Sequence, residues 1–304
     1  MACPRRCRLG PLWLPLAGLT LSFALAACGR SMVPLAPNGT QRAGNARQDT
    51  QTAEALPPVA EPGNYMVVWA PADGLIPVRE PAGTQGAVVD NLRRDQRGIR
   101  LTGRTTRLGS SNWVEILRPG GGTGWVNEWN LTPDVSPAEF CADSRVADLI
   151  SRLRSAVAAK DEELLAGLIS PRHGLVVRLD WWNPEVAYSP EMVPQLFRSP
   201  DVVDWGTEAG TGTPIRGSFP GVVLPALQSG LGEAATQVRC NVLASGETGR
   251  QPQWPGEYAN FNFYSVYTAA SPVARFSWRT WAIGFEYVGG DPFIVALVQY
   301  RGEI

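Results

Sequence analysis

The sequence predicts a multidomain, β-rich protein: a small β-barrel followed by an α+β domain with an antiparallel sheet. Three observations predict it. The 304 residues include 32 glycines and 26 prolines, a composition that favours turn-rich sheet over helical bundles. Between Tyr65 and Leu131, short strand patterns alternate with turn signals and show no helical period. From Pro137 onward, two runs with helical spacing precede a series of strand patterns, the order expected of an α+β domain.

The chain begins with Arg5, Arg6 and Arg8, followed by an apolar stretch from Pro11 to Leu25 and then Leu25-Ala26-Ala27-Cys28. A basic start, a short apolar core and small residues at the cleavage point make an export signal. The apolar core, about 15 residues with Pro11 and Pro15 inside it, is shorter than the roughly 20 needed to span a bilayer. A cysteine directly after Leu-Ala-Ala resembles the lipobox of bacterial lipoproteins. That resemblance implies cleavage before Cys28 and a diacylglyceryl group on its sulfur. It places the mature chain outside the cytoplasm, membrane-anchored by an N-terminal lipid at the cell surface or in the periplasm. Residues 1–27 are then the signal peptide, and 28–64 the lipidated cysteine with a tether. Residues 29–64 contain no aromatic side chain and are rich in Ala, Pro, Gln, Thr and Gly, so they predict disorder. Such a tether spans about 35 Å typically and ~120 Å at most.

The strand patterns of the predicted barrel run through Met66–Trp69, Leu75–Arg79, Ala87–Leu92, Gly98–Gly103, Asn112–Leu117 and Gly124–Leu131. They resemble the bacterial SH3-like (SH3b) family over residues 65–133. The opening motif is Ile76-Pro77-Val78-Arg79-Glu80-Pro81-Ala82-Gly83. The closing motifs are Trp113-Val114-Glu115-Ile116 and Gly124-Trp125-Val126-Asn127-Glu128-Trp129-Asn130-Leu131. Pro77 departs from the pattern and predicts an edge position, because it cannot donate to a ladder. The resemblance implies a binding module for peptidoglycan or another envelope partner. Strand alternation assigns Trp113 and Trp125 to the core and leaves Trp69 and Trp129 for an exposed aromatic face.

Charge adds a second candidate feature. Arg93, Arg94, Arg97, Arg100, Arg104 and Arg107 fall close together, opposed only by Asp95. Arg93, Arg94 and Arg97, with Trp69 and Trp129, form the expected ligand-binding set; a solvated charged hairpin is the alternative reading. The whole chain carries −1, so removing the signal with its three arginines leaves −4. No strong positive field recruits nucleic acid.

The second domain is expected over residues 137–304. Val146, Leu149, Ile150, Leu153 and Val157 share a helical face, and Asp161 caps a second helix that stops before Pro171. Ser189-Pro190-Glu191 opens a further helix to Phe197. Strands are expected at Gly174–Asp180, Gln237–Leu243, Asn260–Tyr267, Arg279–Tyr287 and Phe293–Tyr300, the last two joined by a turn at Gly289-Gly290-Asp291. About 30 residues near Gly206–Ser229 fit no pattern. The element order resembles the NTF2-like (cystatin-like) cone, without a motif that transfers residues.

Cys141 and Cys240 remain once Cys3, Cys7 and Cys28 are set aside, and predict a disulfide or two buried thiols. His173 is the only histidine, which excludes zinc hydrolases that need two or more histidine ligands. It is expected at a helix end. No cofactor or metal is expected. The function expected is that of a non-catalytic, lipid-anchored envelope protein. Two alternatives stay open. One is a small-ligand sensor with an aromatic-lined pocket in the second domain. The other is a cell-wall glycan hydrolase using a carboxylate pair from Asp180, Glu185, Asp201 and Asp204.

Overall fold

Seven short strands run through the described residues up to Pro133. They are β1 (Asn64–Val67), β2 (Leu75–Glu80), β3 (Ala87–Arg93), β4 (Ile99–Leu108), β5 (Ser111–Leu117), β6 (Thr123–Asn127) and β7 (Leu131–Pro133). The computed structural model describes residues 63–302, except 72, 233–234 and 248–250. The signal segment, Cys28 and the tether up to residue 62 lie outside the described residues.

The seven strands form one curled sheet in the order β3-β2-β6-β5-β4-β1-β7. Its concave side holds a core that includes Val67, Ile76, Val78, Leu92, Val114, Ile116 and Val126. Pro77 is not on an edge strand, since β2 lies between β3 and β6. The ladder from β2 to β6 consists of Arg79 opposite Trp125, so the missing N–H of Pro77 falls outside it.

Three helices follow. α1 (Pro137–Ala142) starts with a capping box between Ser136 and Glu139, and has proline in its first turn. α2 (Ser144–Ala159) is capped by Asp143, stops at Lys160 in the left-handed conformation, and buries Val146, Leu149, Ile150, Leu153, Ala156 and Val157. α3 (Glu162–Leu168) is capped by Asp161. The chain continues through β8 (Leu175–Leu179), β9 (Val186–Tyr188), β10 (Val203–Thr207) and β11 (Pro214–Gly217). Then come α4 (Phe219–Leu231), β12 (Ala235–Cys240), β13 (Asn262–Thr268), β14 (Arg279–Val288) and β15 (Asp291–Arg301).

Three expectations change here. The helix expected from Ser189 reduces to a single 3-10 turn at Val193–Gln195, because Pro190 and Pro194 both interrupt the backbone bonding of a longer helix. The stretch near Gly206–Ser229 is the β10–β11 hairpin followed by α4, which Ser218 caps and which carries Pro225 inside it. The six-stranded sheet, ordered β12-β13-β14-β15-β8-β9, is antiparallel except that β8 joins β15 in parallel, with Val176 opposite Ala296. All five residues of β8 are buried, as suits a strand covered on both faces.

That burial reflects two distinct layers. Helices α2, α3 and α4 cover one face of the six-stranded sheet, packing on Leu175, Val177, Ile283, Phe285 and Leu297. The opposite face carries Val176, Ala282, Val298, Tyr258 and Phe263, and receives Val68 and Trp69 from the curled sheet. The described residues fall in one compact unit. Cys141, in α1, and Cys240, in β12, are joined by a disulfide with 5.8 Å between their Cα atoms.

Candidate functional site

The seam between the two sheets holds the most deeply buried charges. Glu286 stands on β14 facing the curled sheet, and the loop between α3 and β8 brings Ser170, Arg172 and His173 against it. His173 Nδ1 lies 2.7 Å from Glu286 Oε2, and its Nε2 lies 2.9 Å from the carbonyl oxygen of Trp129. Each ring nitrogen thus has an oxygen within hydrogen-bond distance, one from each sheet layer. Ser170 donates to the other carboxylate oxygen, and Thr132 of β7 donates to the first at 3.3 Å. Arg172 pairs with Glu128 at 3.4 Å. Asn260 donates to the carbonyls of Val67 and Arg94, at 2.8 and 2.9 Å. His173 therefore bridges two layers, where the sequence alone suggested a helix end.

Burial pushes the Glu286 carboxyl upward, but the charge and hydrogen bond of His173, the Ser170 hydroxyl and Arg172 outweigh it, so the net displacement is down from 4.5. A carboxylate with a depressed folded pKa adds stability above its unfolded value and loses it as pH falls through the folded one. Asp143, held down chiefly by Arg145, acts in the same direction. Stability is thus expected to fall off in acid below about pH 4.5. Glu286→Gln should flatten that acid limb in urea titrations at stepped pH; an unchanged limb would exclude Glu286 as its source.

The seam also accounts for most of the residues singled out from sequence. Trp69 is half-buried, with φ 52°, and its ring meets Tyr258, Phe261 and His173 at 5.5, 5.1 and 5.9 Å. It is a docking residue and does not offer an exposed face. Trp129 is 43 % exposed, but one ring edge packs on His173 at 4.5 Å. The arginines do not converge. Arg93 pairs with Asp95, Arg94 reaches the carbonyl of Pro71, and Arg97 grips Asp134 with its Nε at 2.9 Å. Arg97 thereby ties the β3–β4 turn to the segment leading into α1.

A second face lies on the other side of β5 and β6, where Leu117 is exposed. Val114, Ile116 and Val126 point into the core, so Trp113, Glu115, Leu117 and Trp125 point away from it. Trp113 and Trp125 are buried nevertheless, and neither belongs to the core cluster. Part of the cover over this face comes from β4. Its register slips between Leu101, opposite Ile116, and Thr105, opposite Val114. Residues 102–104, three opposite one, form a bulge over Glu115. Thr102 Oγ1 donates to Glu115 Oε2 at 2.7 Å, and Arg104 Nη1 donates to Oε1 at 2.7 Å. The Arg104 guanidinium lies 5.4 Å above the Trp125 ring. A desolvated carboxylate beside an aromatic face is a cation-recognition arrangement. The sequence carries a signal for it: Trp113-Val114-Glu115-Ile116-Leu117 has apolar residues in both phases, the mark of a strand covered on both sides.

Of the four carboxylates singled out from sequence, Asp180, Glu185 and Asp204 are engaged by basic or phenolic partners and Asp201 by a serine hydroxyl. Asp180, with φ 63°, pairs with Arg301 at 2.9 Å, and its burial raises the carboxyl above its usual range despite that arginine. Glu185 accepts from Tyr258 at 2.5 Å and faces Arg178 at 3.5 Å. Arg178 also meets Glu257 at 2.6 Å. Asp201 accepts from Ser199, and Asp204 pairs with Arg216. The tryptophans Trp205, Trp278 and Trp281 are fully buried, with each indole N–H on a backbone carbonyl. Cys141 is bonded to Cys240 and supplies no thiolate nucleophile. Among the described residues, no group of three or more potential metal ligands converges.

No protein-family model, curated protein or solved structure matches this chain.

Proposed function

We propose that this protein is a lipid-anchored, extracytoplasmic envelope protein without catalytic activity, which binds peptidoglycan or another envelope partner through its N-terminal half. In this reading the curled sheet is an SH3b-type module. The helix-covered sheet behind it, NTF2-like in laying helices on one sheet face, is the scaffold against which the module is clamped. Cys28 carries the lipid, and residues 29–64 hold the globular part off the membrane.

One observation carries the binding assignment. The module spends Trp69, Thr132 and the Trp129 carbonyl on the seam, which leaves the β5–β6 face, with Trp125, Glu115 and the exposed Leu117, directed elsewhere. A polar–aromatic face of this kind suits peptides and sugars. The engaged carboxylates and filled tryptophan core of the second domain favour this reading over a hydrolase or a small-ligand pocket.

Two measurements test it. Metabolic labelling with palmitate is expected to mark the wild type and leave Cys28→Ser unmarked. The full-length protein should sediment with purified peptidoglycan. Leu117→Asp, on the proposed face, should reduce that severalfold, whereas Val273→Asp, an exposed change in the second domain, should not. Equal sedimentation of the two variants would remove the face assignment.

A further inference from the structure

We propose that Trp125 and Glu115 form a receptor for a single alkylammonium or guanidinium group on the envelope partner, and that Arg104 occupies this receptor in cis. The proposal rests on the reading of the β5–β6 face as a binding surface and names the chemistry that face selects.

The two halves of the contact differ in exposure. The Glu115 side chain is 4 % accessible, whereas the Arg104 side chain that neutralises it is 70 % accessible. The carboxylate is therefore built into the sheet, and the cation is laid on from outside. A buried carboxylate demands a positive partner; an exposed arginine makes no matching demand, because water solvates it. The pair thus resembles a receptor and its ligand more than an ion pair that two core elements share.

The backbone delivers the occupant on a separate device. Both protein donors to Glu115, the Thr102 hydroxyl and the Arg104 guanidinium, come from the three-residue bulge in β4. Between them sits Gly103 at φ 87°, and an added Cβ there would meet nothing within 4 Å. The bulge stands clear of its surroundings at that point, and the glycine supplies the left-handed turn that L side chains resist. The neighbouring cation on the same row, Arg79, is turned away, donating to the carbonyl of Gly86 at 2.7 Å. Glu115 is thus left to one cation at a time.

The ligand class follows from the acceptor set. Trp125 contributes a ring face at cation–π distance, and Glu115 a carboxylate oxygen at hydrogen-bond distance from the present guanidinium. An amine-bearing peptide side chain presents the same positive head on a flexible stem. Binding of such a group requires Arg104 to swing out, so the apparent affinity of the wild type is reduced by the fraction of time the site is vacant.

The test uses the full-length protein and a fluorescein-labelled pentapeptide with one lysine flanked by glycines, with glutamine in place of lysine as the uncharged control. If Arg104 holds the site nine-tenths of the time, Arg104→Ala should bind the lysine peptide about tenfold more tightly than wild type in fluorescence anisotropy. The glutamine peptide should show no gain, and adding Glu115→Gln should abolish it. Arg104→Gln keeps a donor for Glu115 without the charge, so it protects the fold and should show the same gain if the alanine variant unfolds. A folded Arg104→Gln with no gain, or an equal gain for the uncharged peptide, would overturn the receptor. Peptidoglycan sedimentation separates the two readings. Sensitivity to Leu117→Asp without any lysine-peptide gain leaves the binding face standing and removes the cation receptor. A lysine-peptide gain without sedimentation does the reverse.

Discussion

Replacing His173 with alanine is expected to destabilise the protein by about 3–5 kcal/mol, the usual cost of stripping one partner from a buried ion pair. The side chains of His173 and Glu286 are both inaccessible to solvent, so the orphaned carboxylate gains no water in exchange. The loss reaches beyond the pair. The ring also holds the Trp129 carbonyl, and Glu286 holds Thr132, so the imidazole links β14 to both ends of the turn entering β7. The double variant His173→Ala/Glu286→Gln should recover a substantial part of the loss, because a neutral amide tolerates the site without a cation. Urea unfolding midpoints of the four proteins in the cycle measure it. A coupling near zero would show that the two groups act independently and would remove His173 as the keystone of the seam.

The second large effect concerns the covalent clamp. Cys141 and Cys240 are 99 residues apart in sequence, and the chain-entropy model assigns closure of a loop that long about 4–5 kcal/mol. Cys141→Ser/Cys240→Ser should therefore lower the midpoint of thermal unfolding by roughly 10–15 °C for a protein of this size. The bond anchors α1, a helix of only six residues whose other ties are Phe140 in the core and the Tyr264 hydroxyl on the Cys141 carbonyl. Calorimetry under non-reducing conditions distinguishes the outcomes. A shift below about 3 °C would mean that the unfolded chain is already restricted, or that native strain cancels the gain.

Local patterns in the sequence were legible where a segment's structure depends on its own residues. Six of the seven strands of the curled sheet, the faces of α2 and α3, the Asp161 cap and the Gly289-Gly290 turn all follow from periodicity and turn chemistry within a dozen positions. What failed depended on distant partners. His173 reads as a helix-end residue because its counter-ion lies 113 positions away. Trp113 and Trp125 are buried as the sequence suggested, but the sequence does not reveal that Arg104, from a bulge of β4, lies over the Trp125 ring. Arg97 looked available to a ligand because nothing near it in sequence reveals Asp134 as its partner. The α4 segment was hidden by Pro220 and Pro225, which mark loops in most contexts but are absorbed here near its start and mid-length.

The parallel pairing of β8 with β15 dictates a timetable for assembly. β8 and β9 leave the ribosome early, yet their neighbour on the inner side is the last strand of the sheet to be synthesised. Until that strand exists, β8 has β9 on one side and the helices on one face, but no neighbour on its inner side. Contacts of such long sequence separation form slowly and reward the chain only at the end. The curled sheet, by contrast, has all seven of its strands by residue 133, so the six-stranded sheet is the later of the two to be completed.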